Sequence, residues 1–417
     1  MHSVIPTPEQ LAWQRDGLGV FFHFGLNTFH GKEWSDGTLP AASFNPTELD
    51  AEQWVQTAAS MGAKYVVLTA KHHDGFCLWP TATTDYSVAS SPWRGGNGDV
   101  VAEVAAACRK HGIKLGLYLS PWDRNAPSYP DADAYDEFYL AQLRELCSNY
   151  GELAELWFDG AGSQGREYAW DRISALIAEL QPRAMVFNMG APTIRWVGNE
   201  DGLAADPVRY VVTETEFSNY TVHSAALTEA LYLPPECDVS IRRGWFWHPD
   251  DAPKELDHLL AIYYRSIGLG ANLLLNLPPD TRGLIPEEDV KRVAEFSAEV
   301  RRRFAAPLPA SLRALGGGKW VASFAAPVTF DHLRLEEVLE NGQRIAGHRI
   351  FAEAGELLVD AGTVGSQRIH AFKAATAREL VIQLEGEEPE LASVTAYLAG
   401  VETVPEIKYL APTEAPD

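Results

Sequence analysis

A distorted parallel (β/α)8-like barrel followed by a β-sandwich is the fold class this chain predicts, and three observations carry the prediction. From Gly17 to about Pro279, apolar runs of strand length alternate with amphipathic helical patterns, the signature of βα repeats rather than of an antiparallel sandwich. Beyond Ala305 that alternation stops, and short runs of period two separated by Gly and polar turns replace it. The length, 417 residues, suits a barrel with an appended domain. The expected division is 1–305 for the barrel and 306–417 for the sandwich.

Strands are expected at Gly19–Phe24, Tyr65–Ala70, Lys114–Leu119, Leu153–Phe158, Ala184–Asn188, Tyr210–Thr215 and Ala271–Leu277. Helices fit Leu49–Met61, Val100–His111, Ala134–Tyr150, Tyr168–Leu180, Lys254–Ile267 and Pro286–Arg303. Gly62, Gly112 and Gly151 each follow a helical pattern, where a C-capping glycine belongs. Fewer than eight clean strand–helix pairs emerge and Arg195–Pro253 is irregular, hence the expected distortion. Pro307, Pro309 and Gly316–Gly318 interrupt periodicity and put the boundary near Phe304–Leu315. Sandwich strands are expected around Val328–Phe330, Leu333–Leu335, His348–Phe351, Leu357–Val359, His370–Phe372 and Leu380–Leu384.

Charge narrows the classes of function. With 34 Lys and Arg against 57 Asp and Glu, the formal charge is -23, which repels nucleic-acid phosphates and anionic lipid and favours a neutral small-molecule partner. Twelve Trp and fifteen Tyr exceed what a core alone needs, and sugar clefts use such rings. Cys77, Cys108, Cys147 and Cys237 are widely spaced and read as free buried thiols. The start of the chain shows no basic segment leading into an apolar one, and no run of eighteen apolar residues occurs; a cytoplasmic protein without a membrane span is the expectation. Oligomeric state is not legible.

Chemistry is expected at the carboxyl ends of the barrel strands. Leu153–Phe158 runs into Asp159-Gly160, which places a carboxylate at a strand end; taken alone, such an Asp is more often a turn or cap residue. His23 ends the first strand, His72 and His73 follow the second, and Tyr118 lies near the end of the third. Histidines and a tyrosine converging there could hold the hydroxyls of a sugar ring, because each neutral imidazole offers one donor and one acceptor. A metal is the rival explanation for His72 and His73, but neighbours on a strand point to opposite faces and no H-E-x-x-H or Cys-rich set supports it; no metal and no cofactor are expected.

The motifs resemble the α-L-fucosidases that form a family of retaining glycoside hydrolases. The resemblance runs through Phe22–Gly25, Glu33-Trp34, Lys71–Phe76, Trp157–Gly160, Arg195–Glu200, Pro235–Arg242, Gly244–His248 and Asn272–Pro279. The later motifs are similar to the branch that acts on α-1,3- and α-1,4-linked fucose in branched glycans. The resemblance implies a nucleophile at Asp159, and fucose held by His23, Trp34, His72, His73 and Tyr118. It implies an acid/base at Glu200, with Glu214 and Glu216 as runners-up. Trp245, Phe246 and Trp247, with Glu236, Asp238 and Arg242, are expected to line the leaving-group side, since charges adjoining an aromatic triplet do not suit a core. The implied partner is a fucosylated oligosaccharide; the sandwich is expected to be a structural buttress, with sugar binding as the alternative.

Such an enzyme pairs an attacking carboxylate with a protonated carboxyl, about 5 Å apart in the retaining case. The rival readings are another retaining hexosidase, such as an α-galactosidase, and a non-catalytic sugar-binding protein. A binder has no use for the pair Asp159 and Glu200.

Overall fold

Residues 4–163, 165–216, 224–352 and 355–408 are described by the structure, a computed structural model. Helix α1 (Pro8–Asp16) starts on a capping box in which Thr7 accepts from Gln10 N–H and the Gln10 side chain answers to Thr7 N–H. The chain then runs through β1 (Leu18–Phe22), α2 (Leu26–His30), α3 (Ala51–Ser60), β2 (Tyr65–Lys71), α4 (Val100–His111), β3 (Lys114–Leu119), α5 (Ala132–Asn149), β4 (Glu155–Trp157), α6 (Trp170–Leu180) and β5 (Met185–Phe187). Asp50, Asp99 and Asp131 cap α3, α4 and α5 by accepting backbone N–H bonds that the first turn would otherwise leave unmade.

After β6 (Arg195–Trp196) the chain leaves the sheet for a hairpin, β7 (Val211–Glu216) and β8 (Ser224–Tyr232), and returns as β9 (Pro235–Ser240), α7 (Leu256–Arg265), β10 (Asn272–Asn276) and α8 (Glu287–Arg303). The parallel sheet has the order β5-β4-β3-β2-β1-β10-β9-β6. A bridge between Phe187 and Ile194 nearly closes it at the seam. The fold is the expected distorted barrel, with two corrections. The strand expected over Tyr210–Thr215 belongs to the hairpin, where Val211 is 36% exposed, whereas β1, β2, β9 and β10 are buried throughout. The stretch Pro235–Ser240, within the region expected to be irregular, is a barrel strand.

Those acids are tolerated because donors meet them inside the barrel. Trp13 Nε1 donates to Glu155 Oε2 at 3.1 Å, Tyr65 OH to Glu236 Oε1 at 2.6 Å, and Trp157 Nε1 to Glu236 Oε2 at 3.0 Å. The rest of the interior is largely rings and large apolar side chains, among them Phe21, Tyr118, Met185 and Phe187. Gly19 makes room for one of the rings, since a Cβ there would stand 2.4 Å from the Tyr65 ring. The larger core lies between the barrel and its helices and includes Trp54, Val66, Leu117, Leu156 and Ile262.

Beyond α8 the chain forms β11 (Leu308–Pro309), β12 (Ser311–Gly316), β13 (Lys319–Glu337), β14 (Ile345–Phe351), β15 (Leu357–Ala361), β16 (Arg368–Gly386) and β17 (Leu391–Tyr397), all antiparallel. Two pairs of expected short strands fuse into the 19-residue β13 and β16, whose mutual register shifts between Ser323 and Val328 and again between Phe330 and His332. Such irregularities bend a strand without ending it. The sandwich is tied to the barrel by polar contacts: Arg368 makes two 2.8 Å bonds to Asp206, and Tyr264 OH lies 2.7 Å from His332 Nε2.

The four cysteines are free and buried. Among the described residues no helix is long and apolar enough to cross a membrane.

Candidate active site

Strand ends on one face of the barrel deliver the polar groups. β4 stops after Trp157, and the chain turns at Asp159, whose Oδ1 accepts from Ala161 N–H at 2.8 Å. This is the turn role that an Asp-Gly step suggests by itself. The second oxygen does something else: Oδ2 accepts from Tyr118 OH at 3.0 Å and lies 3.5 Å from His73 Nε2. The Asp159 side chain keeps 25% of its surface open, so it faces a cleft.

Tyr118 is held flat between His72, at 5.6 Å and 10° between planes, and Trp157, at 5.4 Å and 25°. Trp157 is in turn fixed through its indole to Glu236. β2 ends at Lys71, so the alternation that would send His72 and His73 to opposite faces no longer applies; both rings line the cleft with centroids 4.2 Å apart. Beneath them the fully buried Lys71 ammonium donates to Asp123 Oδ2 and Gln142 Oε1, each at 2.9 Å. Asp123 also accepts from Asn125 and Ala126 N–H, so the same ion pair fixes the loop after β3. Ser120 Oγ gives its proton to Trp122 O at 2.7 Å and can therefore only accept from His73 Nδ1, also at 2.7 Å. Neutral His73 thus turns a lone pair at Nε2 toward Asp159. Burial lowers the pKa of this ring, with the Asp159 charge opposing. Trp34 closes this side, edge-on to His73 at 5.2 Å and to Trp122 at 5.6 Å.

On the other side stands Glu200, in the loop after β6. Burial, and next the charge of Asp159, push its carboxyl up to about 7. Trp245 Nε1 lies 3.4 Å from Glu200 Oε2, a long hydrogen bond. Trp245 is placed by Glu33, whose Oε2 accepts from Trp245 N–H at 2.8 Å and Phe246 N–H at 3.4 Å. Glu33 is itself pushed up to about 7 by burial. Asp238 also lines the cleft and accepts from Trp196 Nε1 at 2.7 Å; burial and then the Glu200 charge raise its carboxyl well above the ordinary range.

His23, Trp34, His72, His73, Tyr118, Asp159, Glu200 and Asp238 therefore come together as the sequence suggested. Three others do not. Glu236 pairs with Asn272 at the foot of β10 while Asp238 pairs with Leu274, which puts Glu236 two residues, about 6–7 Å, deeper in the barrel. Arg242 is wholly buried outside the cleft, with Nε on Asp289 at 2.9 Å and Nη2 on Glu288. Trp247 is half-buried away from the lining, and Trp245 takes its expected place. Of the runners-up, Glu214 is exposed on the hairpin, and the Glu216 side chain lies outside the described residues. Sequence reasoning missed Glu33 and Trp196 as neighbours of Glu200, and missed Asn276, although each stood in a quoted motif; Trp245 it did place on the leaving-group side. Among the described residues no group of three or more His, Cys, Asp or Glu side chains is arranged to hold a metal ion.

Comparison with known proteins agrees with this architecture. The sequence profile described as Alpha-L-fucosidase matches residues 6–302. The chain is 42% identical over 419 residues to Alpha-L-fucosidase 1 of Arabidopsis thaliana, covering 88% of this chain and 82% of that one. Its structure is similar to that of a glycoside hydrolase 29 family member from an unknown rumen bacterium, with a TM-score of 0.87, 35% identity and coverage of 95% and 78%. It is also similar to a Ruminococcus gnavus GH29 fucosidase in complex with fucose, with a TM-score of 0.84, 29% identity and 95% of each chain covered.

The surroundings of Glu200 make a prediction about its proton. Trp245→Phe removes an N–H that favours the charged form, so the Glu200 pKa should rise further. Glu33→Gln keeps an acceptor for Trp245 N–H but removes a neighbouring negative charge, so the pKa should fall. Titration of 13C-labelled glutamate by NMR reads both variants, and shifts of the same sign would contradict this account.

Proposed function

This chain belongs to the alpha-L-fucosidase family of glycoside hydrolases, GH29, and we propose that it is an exo-acting, retaining enzyme that releases α-1,3- and α-1,4-linked fucose from branched oligosaccharides. The observation that carries the mechanistic part is the pairing in one cleft of Asp159 with a second carboxyl, Glu200, whose proton is retained to about neutral pH partly by the charge on Asp159.

In this reading the Asp159 carboxylate attacks the anomeric carbon of fucose. Tyr118 OH and Ala161 N–H hold it in place, one on each oxygen. As the glycosidic bond breaks, Glu200 passes its proton to the departing oxygen, and the sugar is left as an ester on Asp159. That bond removes the charge which helped to raise Glu200, so its pKa falls and it becomes a base toward water. Water then attacks the anomeric carbon, the ester breaks, and both groups return to their starting states. His23, His72, His73 and Trp34 surround the sugar hydroxyls and fix its orientation. Catalysis is assigned to 1–305, with the sandwich, 306–417, as support.

The linkage preference rests on the side of the cleft next to Glu200. Asp238, Trp196 and Trp245 stand there, presenting a carboxyl and two indoles to the part of a glycan that carries the leaving oxygen. The segment Pro235–His248 that supplies two of them resembles the branch acting on such linkages. A second sugar gripped there contributes energy realised only when the whole glycan is seated, which raises turnover as well as affinity.

Asp159→Ala should lower turnover by roughly 10⁴-fold or more while leaving the fold intact, with partial rescue by azide. A variant that keeps a tenth of the wild-type rate would end the assignment. Glu200→Gln should impair a natural oligosaccharide far more than an activated aryl fucoside, since a good leaving group departs without a proton. The wild type should lose kcat/KM as pH rises through about 7 and Glu200 gives up its proton, and the same change should abolish that fall. An unaltered pH profile would move the acid/base role elsewhere. For linkage, Lewis-type trisaccharides should be cleaved faster than 2'-fucosyllactose under the same conditions, and the reverse order would remove the α-1,3/1,4 preference while leaving the family intact.

A further inference from the structure

Asn276 ends β10 at the rim of the barrel and is wholly buried, yet it touches three of the segments that build the cleft. Its Oδ1 accepts from His23 backbone N–H at 3.1 Å and faces His23 Nδ1 at 3.0 Å. Its Nδ2 donates to Trp245 O at 2.8 Å and to Ser240 Oγ at 3.0 Å. All four hydrogen-bonding directions of the amide are therefore used. Two of the partners admit no ambiguity: a backbone N–H only donates and a backbone carbonyl only accepts. A flipped amide would set N–H against N–H at His23 and oxygen against oxygen at Trp245, so the orientation of the group is determined by the main chain around it.

That orientation decides the state of a ring that faces the substrate. With an oxygen acceptor at 3.0 Å, His23 Nδ1 must carry a proton. Burial, together with the nearby His73, holds the ring far from protonation, its pKa lowered to about 3, while the bond to Asn276 opposes the shift. The neutral ring has one proton, and Nδ1 has it; Nε2 is left with a lone pair. Phe21, Trp245 and Phe246 pack around the ring at centroid distances of 4.4, 4.9 and 5.5 Å, so it cannot turn over without repacking them.

We propose that Asn276 is a positioning residue that locks His23 into the Nδ1–H tautomer, so that His23 meets the sugar as a hydrogen-bond acceptor and selects a hydroxyl that donates to it. This rests on the reading of the cleft as a fucose site. The tautomer itself is a property of the free protein and is tested without substrate.

The test joins 15N NMR of the histidine rings to fucose binding, measured as competitive inhibition of hydrolysis and as direct calorimetric binding. In the ligand-free wild type, His23 Nε2 should resonate as an unprotonated ring nitrogen and Nδ1 as a protonated one. Asn276→Ala frees the ring and should weaken fucose binding by about 10–100-fold, the usual effect of losing a group that orients a ligating histidine. Asn276→Asp keeps the oxygen that accepts from His23 but sets its second oxygen against Trp245 O, so its thermal unfolding is measured beside binding, and its carboxylate also favours a second proton on the ring. Fucose affinity should follow the state of Nε2 across the three proteins, retained wherever Nε2 keeps its lone pair and lost wherever it is protonated or averaged between tautomers. A protonated Nε2 in the wild type, or a variant that binds fucose fully with Nε2 protonated, would overturn the proposal. The expected NMR pattern with no fucose binding by the wild type would overturn the fucose reading instead.

Discussion

Placing carboxyl groups inside a barrel is unfavourable unless each finds a donor, because water no longer solvates it. In this molecule the donors are the polar edges of large rings: Trp13 for Glu155, Tyr65 and Trp157 for Glu236, Trp196 for Asp238. Each ring that satisfies an acid is thereby fixed in position and orientation, and two of them, Trp157 and Trp196, line the cleft. Trp157 lies 3.9 Å from Phe187 in a stack on one side and under Tyr118 on the other, and Tyr118 reaches Asp159. The deep acid Glu236 thus governs the placement of a carboxylate at the surface of the cleft through two rings, without approaching substrate itself.

The same acids create a gradient of protonation. Burial, and next the charge of Glu236, push the Glu155 carboxyl well up deep in the barrel, and burial with the charge of Glu200 does the same to Asp238 nearer the top. Glu33 and Glu200 lie at the turning point, each at about 7, and Asp159 is the more open group. Like charges close together in a medium that screens them poorly cannot all be ionised, so the charge collects where solvent and hydrogen-bond donors reach it. How tightly each of these raised carboxyls holds its proton follows from depth and neighbours rather than from residue type, since all are ordinary acids.

Histidine placement depends on a second set of buried polar groups. Lys71 lies immediately before His72 and His73, and its pairing with Asp123 ties the end of β2 to the loop after β3. Ser120 and Asn276 then determine which nitrogen of His73 and of His23 carries the proton. The cleft therefore presents imidazole lone pairs in a chosen direction. The sandwich contributes from behind: the Tyr264–His332 contact, with His332 Nδ1 at 2.8 Å from Asp331, holds the C-terminal end of α7, the helix that leads into β10 and so toward Asn276.

Much of the fold was legible because strands and helices announce themselves by local periodicity. Lys114–Leu119 and Val100–His111 have the same bounds in the sequence reading and in the structure, each being an apolar pattern closed by a clear stop. Periodicity failed where tertiary partners overrode it: β9 carries two acids that only closure of the barrel can satisfy, β6 is two residues long, and β13 and β16 run through interruptions that looked like turns. The site divides in the same way. Asp159, His23, His72, His73 and Tyr118 were legible because strand ends and motif spacing place them, and Asp238 was legible as part of a segment. Glu236 and Arg242 came from that same segment and turned out to be structural, since depth along a strand and the direction of a loop decide whether a side chain meets the cleft or the core. What the sequence by itself determined is the set of groups at the strand ends. Which groups touch, how firmly they hold their protons and which ring nitrogen faces the cleft were decided by the tertiary structure, because Glu33, Glu200, Trp245 and Asn276 lie far apart in the chain and only the closed barrel brings their donors and acceptors within bonding distance.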